Sequence, residues 1–255
     1  MGSVVSYIFQ TLGEITTVEA SKSASSKILI LPLGSTEQHG PHLPLDTDTR
    51  ITEAIVATLA RRYPEQITVA PTLPYGSSGE HNRFVGTMSL SNEVLAEVIK
   101  SLLYSASTYR GTLVVTAHGG NAPIAQKVVS ELRTLGVPTG IWFPTRALFI
   151  ERAEKLLIDP HAGSGILDPD LHAGRTETSI MLALDESKVS MHLAQKGAAT
   201  KDQSALDQLR ERGVYALSPN GVLGDPTGSN KEEGSLLLGV MSEALIEFFK
   251  TRYLS

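Results

Sequence analysis

The stretch GSTEQHGPHLPLDTD, running from Gly34 to Asp48, packs five potential oxygen or nitrogen ligands into little space: Glu37, His39, His42, Asp46 and Asp48. Glu37 and His39 are one residue apart, so an extended backbone turns both side chains to the same side. Asp46 and Asp48 repeat that spacing. Gly40, Pro41 and Pro44 let the intervening chain fold back, which would bring Asp48 to the Glu37/His39 pair. Carboxylates and imidazoles converging in this way are the donor set of a divalent metal site. A charged surface loop is the plainer reading of the same residues.

Three further clusters carry chemistry. His118-Gly119-Gly120-Asn121 follows the apolar run Leu113 to Val115, so His118 falls at a strand's carboxyl end. It is a structural histidine or an additional ligand. His172-Ala173-Gly174-Arg175-Thr176-Glu177 opens a helical pattern. Glu177 falls in the first turn, where the helix dipole favours a carboxylate whether or not it does chemistry. His172, just outside the helix, is a general acid/base, since imidazole titrates near neutrality, or a surface residue. The loop from Tyr75 to His81 is rich in glycine and serine, and its Glu80 and His81 suit a substrate pocket or a solvated loop. His161 and His192 have no ligand-like surroundings and read as ordinary.

These clusters need strands and helices to hold them. Ile28 to Leu31 is a short apolar run ended by Pro32, and Ile67 to Ala70, Leu113 to Val115 and Val137 to Phe143 are similar. Each reads as a buried strand. Helical periodicity runs over Thr49 to Tyr63, Ser91 to Tyr109 (capped at Ser91 or Asn92), Ile124 to Leu135 and Thr176 to Leu184. Gln203 to Arg212 and Lys231 to Tyr253 read as two more helices. Strand–helix alternation implies an α/β fold with a mostly parallel sheet covered on both faces. The polar motifs follow the strands, where such sheets bind ligands. Residues 1–26, rich in Ser and Thr, read as an N-terminal arm, and 27–255 as a single domain.

With 255 residues and 41% hydrophobic content, the chain is long and apolar enough for a sizeable core. The absence of cysteine excludes disulfides, a thiol nucleophile and thiolate metal sites. A net charge of −5 argues against nucleic-acid binding. No apolar run reaches membrane-spanning length, and no signal peptide is read, so the expectation is a soluble cytoplasmic protein without a membrane partner. Met1 to Ser6 fits the loose N-myristoylation pattern, which is short enough to arise by chance.

Taken together, the motifs LGSTEQHG (33–40), LDTD (45–48), HGGN (118–121) and HAG with ETS (172–174 and 177–179) resemble the creatininase family of metal-dependent amidohydrolases, in the family's order. The resemblance implies a three-layer α/β/α sandwich, two neighbouring divalent ions (Fe2+, Zn2+ or Mn2+) and a homo-oligomer. It implies that Glu37 and His118 bind one ion and His39 the other, with Asp48 bridging. Creatininase takes another ligand from a Glu two residues after the strand-end His. Gly120 stands there in this chain, so Glu177 is the candidate replacement. His172 is the expected acid/base, with Glu177 its competitor if that carboxylate is not a ligand. Glu80, His81 and Asn121 are expected to orient substrate or ligands. The segments SSGEH (77–81) and SPNGVLGDPTG (218–228) look like the mycofactocin-maturation branch, whose members release a C-terminal Val-Tyr dipeptide from a modified precursor peptide. Hydrolysis of creatinine, deformylation of a formamidopyrimidine nucleotide, and non-catalytic binding on the same fold are the competing expectations.

Overall fold

The computed structural model describes residues 9–145, 170–198, 208–209 and 211–254. The proposed myristoylation pattern and His161 lie outside them, as does most of the Gln203–Arg212 helix. The described chain runs α1 (Thr17–Ser23), β1 (Ile28–Pro32), α2 (Thr47–Arg62), β2 (Ile67–Val69), α3 (Asn92–Ser105), β3 (Gly111–Val115), α4 (Asn121–Thr134), β4 (Thr139–Trp142), α5 (Arg175–Asp185), α6 (Val214–Leu217) and α7 (Lys231–Phe249). The four strands form one sheet in the order β2-β1-β3-β4, parallel throughout.

Alternation along the strands explains the layers. Ile28, Ile30, Leu113 and Val115 enter one core cluster, with Ile55 and Leu59 of α2, Ile180 and Met181 of α5, and Leu237 and Leu245 of α7. Leu31 and Val114 point the other way, onto Leu95 and Ile99 of α3 and Val128 and Leu132 of α4. Strands with apolar side chains on both faces need helices on both faces, and the result is an α/β/α sandwich. Burying each such side chain stabilises the fold by about 1.5–3 kcal/mol. The caps are made locally. Ser91 Oγ accepts the Val94 N–H at 3.3 Å, and Asn230 Oδ1 accepts the Glu233 N–H at 2.9 Å. Glu233 then pairs with Arg175 at 2.9 Å, tying the starts of α7 and α5 together. At Gly234 a Cβ would collide with the Ser179 carbonyl, so glycine lets α7 lie against α5.

The boundaries differ from the sequence reading in places. α2 starts two residues early, at Thr47, so Asp48 lies in its first turn. α3 stops at Ser105, short of Tyr109. α4 begins at Asn121 rather than Ile124, and after Phe249 the chain continues as a π-helical turn over Lys250–Leu254. The start of the described part of the segment read as an arm packs on the sheet: Phe9 is buried in the core, and Thr11 bridges Val69 at the β2 edge. Among the described residues no helix is long and apolar enough to cross a membrane.

In this strand order the chain leaves β1 toward β2 on one side and returns to β3 on the other. The carboxyl ends of β1 and β3 therefore flank a topological switch point, where open parallel sheets bind ligands. The motifs at 33–48 and 116–121 both emerge there.

Candidate metal centre

Beyond Pro32 the chain leaves the sheet with Leu33 and Gly34 still bonded to it, through Val115 O at 2.8 Å and Leu73 O at 2.9 Å. It then turns back at Gly40 to begin α2. This return puts Asp48 beside the residues after β1. Ser35 Oγ donates to Asp48 Oδ2 at 2.6 Å. Each Asp48 oxygen faces a different imidazole: Oδ1 lies 3.6 Å from His39 Nε2, and Oδ2 lies 3.1 Å from His118 Nδ1. Glu37 Oε2 is 3.3 Å from His118 Nε2, and Oε1 is 3.5 Å from both His81 Nε2 and His172 Nδ1. Glu177 Oε2 closes the ring, 3.8 Å from His39 Nε2.

The structure thus brings Glu37, His39, Asp48, His118, His172 and Glu177 into one cluster, with His81 among them. Glu37, His39 and Asp48 can converge on one ion, as can His39, His172 and Glu177, or Glu37, His81 and His172. Glu80 stands at the margin, one third exposed and 3.9 Å from His81. Asn121 is buried but reaches none of the carboxylates. Its Oδ1 accepts the Ser77 N–H at 2.9 Å while its Nδ2 donates to Gly34 O at 2.9 Å, so it staples the 75–78 loop to the end of β1. Asp46 stays outside the cluster, paired with Arg50 at 2.8 Å, and His192 is exposed.

The donor set fits divalent metal. Both Glu37 oxygens and His39 Nε2 are buried without a hydrogen-bond partner among the described residues. Leaving such groups unpaired is costly unless a cation meets them. Electrostatics tell the same story. Burial pushes Glu37 up to about 7 against the pull of His118, and pushes Glu177 up to about 7 against His39. Burial opposes the charged form of His39, but Asp48 and Glu177 outweigh it and raise His39 to about 10. Asp48 goes the other way: burial is overcome by His39 and His118, which hold it well below the usual carboxylate range. Burial, with His39 adding to it, lowers His172 well below its ordinary value and His81 to about 3, which favours the neutral form of both rings.

Gly120 stands where the resemblance expects a glutamate, and its surroundings leave no room for a side chain. His118 folds back so that its Nε2 lies 2.8 Å from Ser77 O. A Cβ on residue 120 would strike that same carbonyl and come within 2.6 Å of His118 Nε2. The space a Glu side chain would start from is filled by the imidazole, and Glu177 supplies a carboxylate from another direction. Glu177 is itself steadied by the Ala173 N–H, which donates to its Oε2 at 2.7 Å. Ala173 makes that contact from a left-handed backbone (φ 51°), fully buried.

Sequence reasoning missed Gln38, Ser35, Ser78 and the placement of His42. Gln38 bonds to His81 through its side chain and to His172 through its backbone carbonyl. His42, buried and lowered to about 4 by burial and His39, reaches Thr178 Oγ1 at 2.9 Å. The only sequence signal for these was their position inside or beside the ligand-bearing motifs.

A parallel α/β sandwich with buried carboxylates and imidazoles gathered at its strand switch point has the makings of a metal-dependent enzyme. The comparisons narrow the class. The family model for creatininase, described as creatinine amidohydrolase, matches residues 13–249, and the chain belongs to this family of metal-dependent amidohydrolases. It is 38% identical over 239 residues to the mycofactocin precursor peptide peptidase of Mycobacterium ulcerans (strain Agy99), covering 90% of this chain and 88% of that one. Among solved structures it superposes on a mutant creatininase described as Zn-Zn type with a TM-score of 0.75 at 23% identity, over 95% of this chain and 98% of the other. A creatininase described as containing Mn gives a TM-score of 0.75 at 23% identity, over 96% and 99%.

Proposed function

We propose that this chain is the peptidase that releases the C-terminal Val-Tyr dipeptide from a modified mycofactocin precursor peptide. The observation that carries this reading is the 38% identity to a relative named for that substrate, sustained over 90% of the chain. Mass spectrometry after incubation with the crosslinked precursor peptide tests it directly. Release of Val-Tyr, with creatinine and formamidopyrimidine nucleotide left intact, is the expected result. An intact peptide, or hydrolysis of creatinine instead, would overturn it.

Glu37, His39, Asp48, His118 and Glu177 would hold two divalent ions, with Asp48 presenting one oxygen to the His39 side and one to the His118 side. Their oxygen and imidazole donors suit Zn2+, Mn2+ or Fe2+. When bound, such a pair supplies Lewis acidity and a water acidified to near neutral pH. The remaining work falls to the protein. Burial of Glu37, His39, Asp48 and His172 keeps bulk water away, which strengthens every charge interaction among them. His172, neutral and facing the carboxylate cluster through Nδ1, takes a proton there and returns it to the departing amine. Ser35 and the Ala173 N–H fix the orientations of Asp48 and Glu177, so that little rearrangement is needed as charge develops.

A further inference from the structure

We propose that Gln38 is a positioning residue that sorts two neighbouring buried imidazoles, leaving His172 with a bare Nδ1 and His81 with a protonated Nε2, both turned to the same oxygen of Glu37.

The backbone groups around the Gln38 amide have fixed roles. The Gly40 N–H can only donate, and it meets Gln38 Oε1 at 2.9 Å. The Gly221 carbonyl can only accept, and it meets Gln38 Nε2 at 3.1 Å. Swapping the amide would set donor against donor and acceptor against acceptor, so its orientation is fixed. The backbone carbonyl of Gln38 is likewise only an acceptor, and His172 Nε2 lies 2.7 Å from it. His172 therefore carries its proton on Nε2. A neutral ring has one proton, so Nδ1 is bare, 3.5 Å from Glu37 Oε1.

The side-chain amide has two hydrogens. One goes to Gly221 O, and the other goes to His81 Nδ1 at 2.8 Å. His81 Nδ1 must then accept, and its proton sits on Nε2, also 3.5 Å from Glu37 Oε1. The 3.0 Å contact between Gln38 Nε2 and His172 Nε2 is two donors side by side, each with its own acceptor. Two rings with centroids 4.4 Å apart thus share one tautomer yet turn opposite kinds of nitrogen to Glu37 Oε1, a bare Nδ1 from His172 and a protonated Nε2 from His81.

The sorting has a chemical consequence. For His81 Nε2 to ligate an ion, its proton would have to move to Nδ1 and confront the Gln38 N–H. Gln38 therefore reserves the His172 lone pair for an ion or a proton and denies His81 to metal. The kinetic part of this inference rests on the proposed hydrolytic reading; the tautomers do not.

Long-range proton–nitrogen correlation spectra of metal-free, nitrogen-15-labelled protein read ring protonation directly. In the native chain we expect protonated Nε2 and bare Nδ1 on both rings. Gln38→Glu replaces the donating nitrogen with an acceptor, so the His81 proton should move to Nδ1, while His172 stays as it was because its partner is backbone. Gln38→Met, which offers neither donor nor strong acceptor, should leave His81 populating both tautomers. With two ions still bound, turnover of Gln38→Glu should fall about 10–100-fold with KM little changed. A protonated Nδ1 on either ring of the native chain overturns the proposal, and so does an unaltered His81 in folded Gln38→Glu. If that variant does not fold, the native spectrum and Gln38→Met still decide. Assigned tautomers together with no cleavage of the precursor peptide would remove the substrate reading and leave the role of Gln38 standing.

Discussion

Replacing Gly120 by alanine adds one methyl group, and the structure says where it must go. Residue 120 has helical dihedrals (φ −62°, ψ −30°), so the substitution brings no backbone penalty of the left-handed kind. The cost is steric. The new Cβ would lie 2.6 Å from His118 Nε2 and closer still to the Ser77 carbonyl, which is main chain and held in place through the Ser77 N–H by Asn121. The imidazole must yield, and as it turns it leaves Ser77 O at 2.8 Å, Asp48 Oδ2 at 3.1 Å and Glu37 Oε2 at 3.3 Å. Overpacking of this kind costs about 1–3 kcal/mol. Gly120 also caps α4, and alanine is a poorer cap than glycine, which adds to the loss. Urea unfolding of the metal-free variant should show an unfolding free energy lowered by that amount, with an earlier midpoint, and elemental analysis after dialysis should show substoichiometric metal. A variant with native stability and a full complement of metal would refute the argument that Gly120 makes room for His118.

Other expectations follow from the same geometry. His39→Ala and Asp48→Ala should each lower bound metal and activity together, read by elemental analysis beside a peptide-cleavage assay. His172→Ala should keep its metal and lose about 10²–10⁴-fold in turnover, the usual contribution of a positioned acid/base; loss of metal in parallel would make His172 a ligand instead. In the metal-free protein His39, raised to about 10 from 6.5, contributes stability that is complete below 6.5 and lost as pH climbs through 10. Glu37 and Glu177, raised from 4.5 to about 7 by burial, act in the same direction, because their favoured neutral forms disappear as pH passes 7. Below pH 6.5 His42, His81 and His172, lowered chiefly by burial, and Asp48, held low by His39 and His118, act the other way. The denaturation midpoint should therefore fall where only the raised groups titrate, from pH 7 toward 10, and His39→Ala should flatten that part of the curve. A midpoint that rises over this range would contradict the reading of the cluster.

Much of the fold was legible because it is written locally. Ile28 to Leu31 and Leu113 to Val115 are apolar on successive residues, which only a strand covered on both faces requires, and each ends in a polar motif. Glu37, His39 and Asp48 were legible as a group because glycine and prolines between them signal a chain that doubles back. The start of α2 was harder: Asp46, Asp48 and Thr49 are all capping residue types, and Asp46, which stands at the cap, makes no side-chain bond there and pairs with Arg50 instead. Gln38 was not legible at all. Apart from the Gly40 N–H, its side-chain neighbours lie 43, 134 and 183 residues away, and no spacing within a motif encodes contacts of that range. His81 read as part of a flexible loop because its burial depends on that same distant network.

The order in which the site's parts leave the ribosome follows from this layout. Glu37, His39 and Asp48 emerge early, just after a strand that cannot pair with β3 until residue 111 has been made. His172 and Glu177 come later, and the Gly221 carbonyl that fixes Gln38 later still. A growing chain thus exposes a partial set of ligands well before it can enclose them, and domains fold as units once their distant partners arrive. Loading with the correct ion is consequently a property of the finished chain, in which early and late segments close on each other, and premature capture by a nascent one would be open and weak.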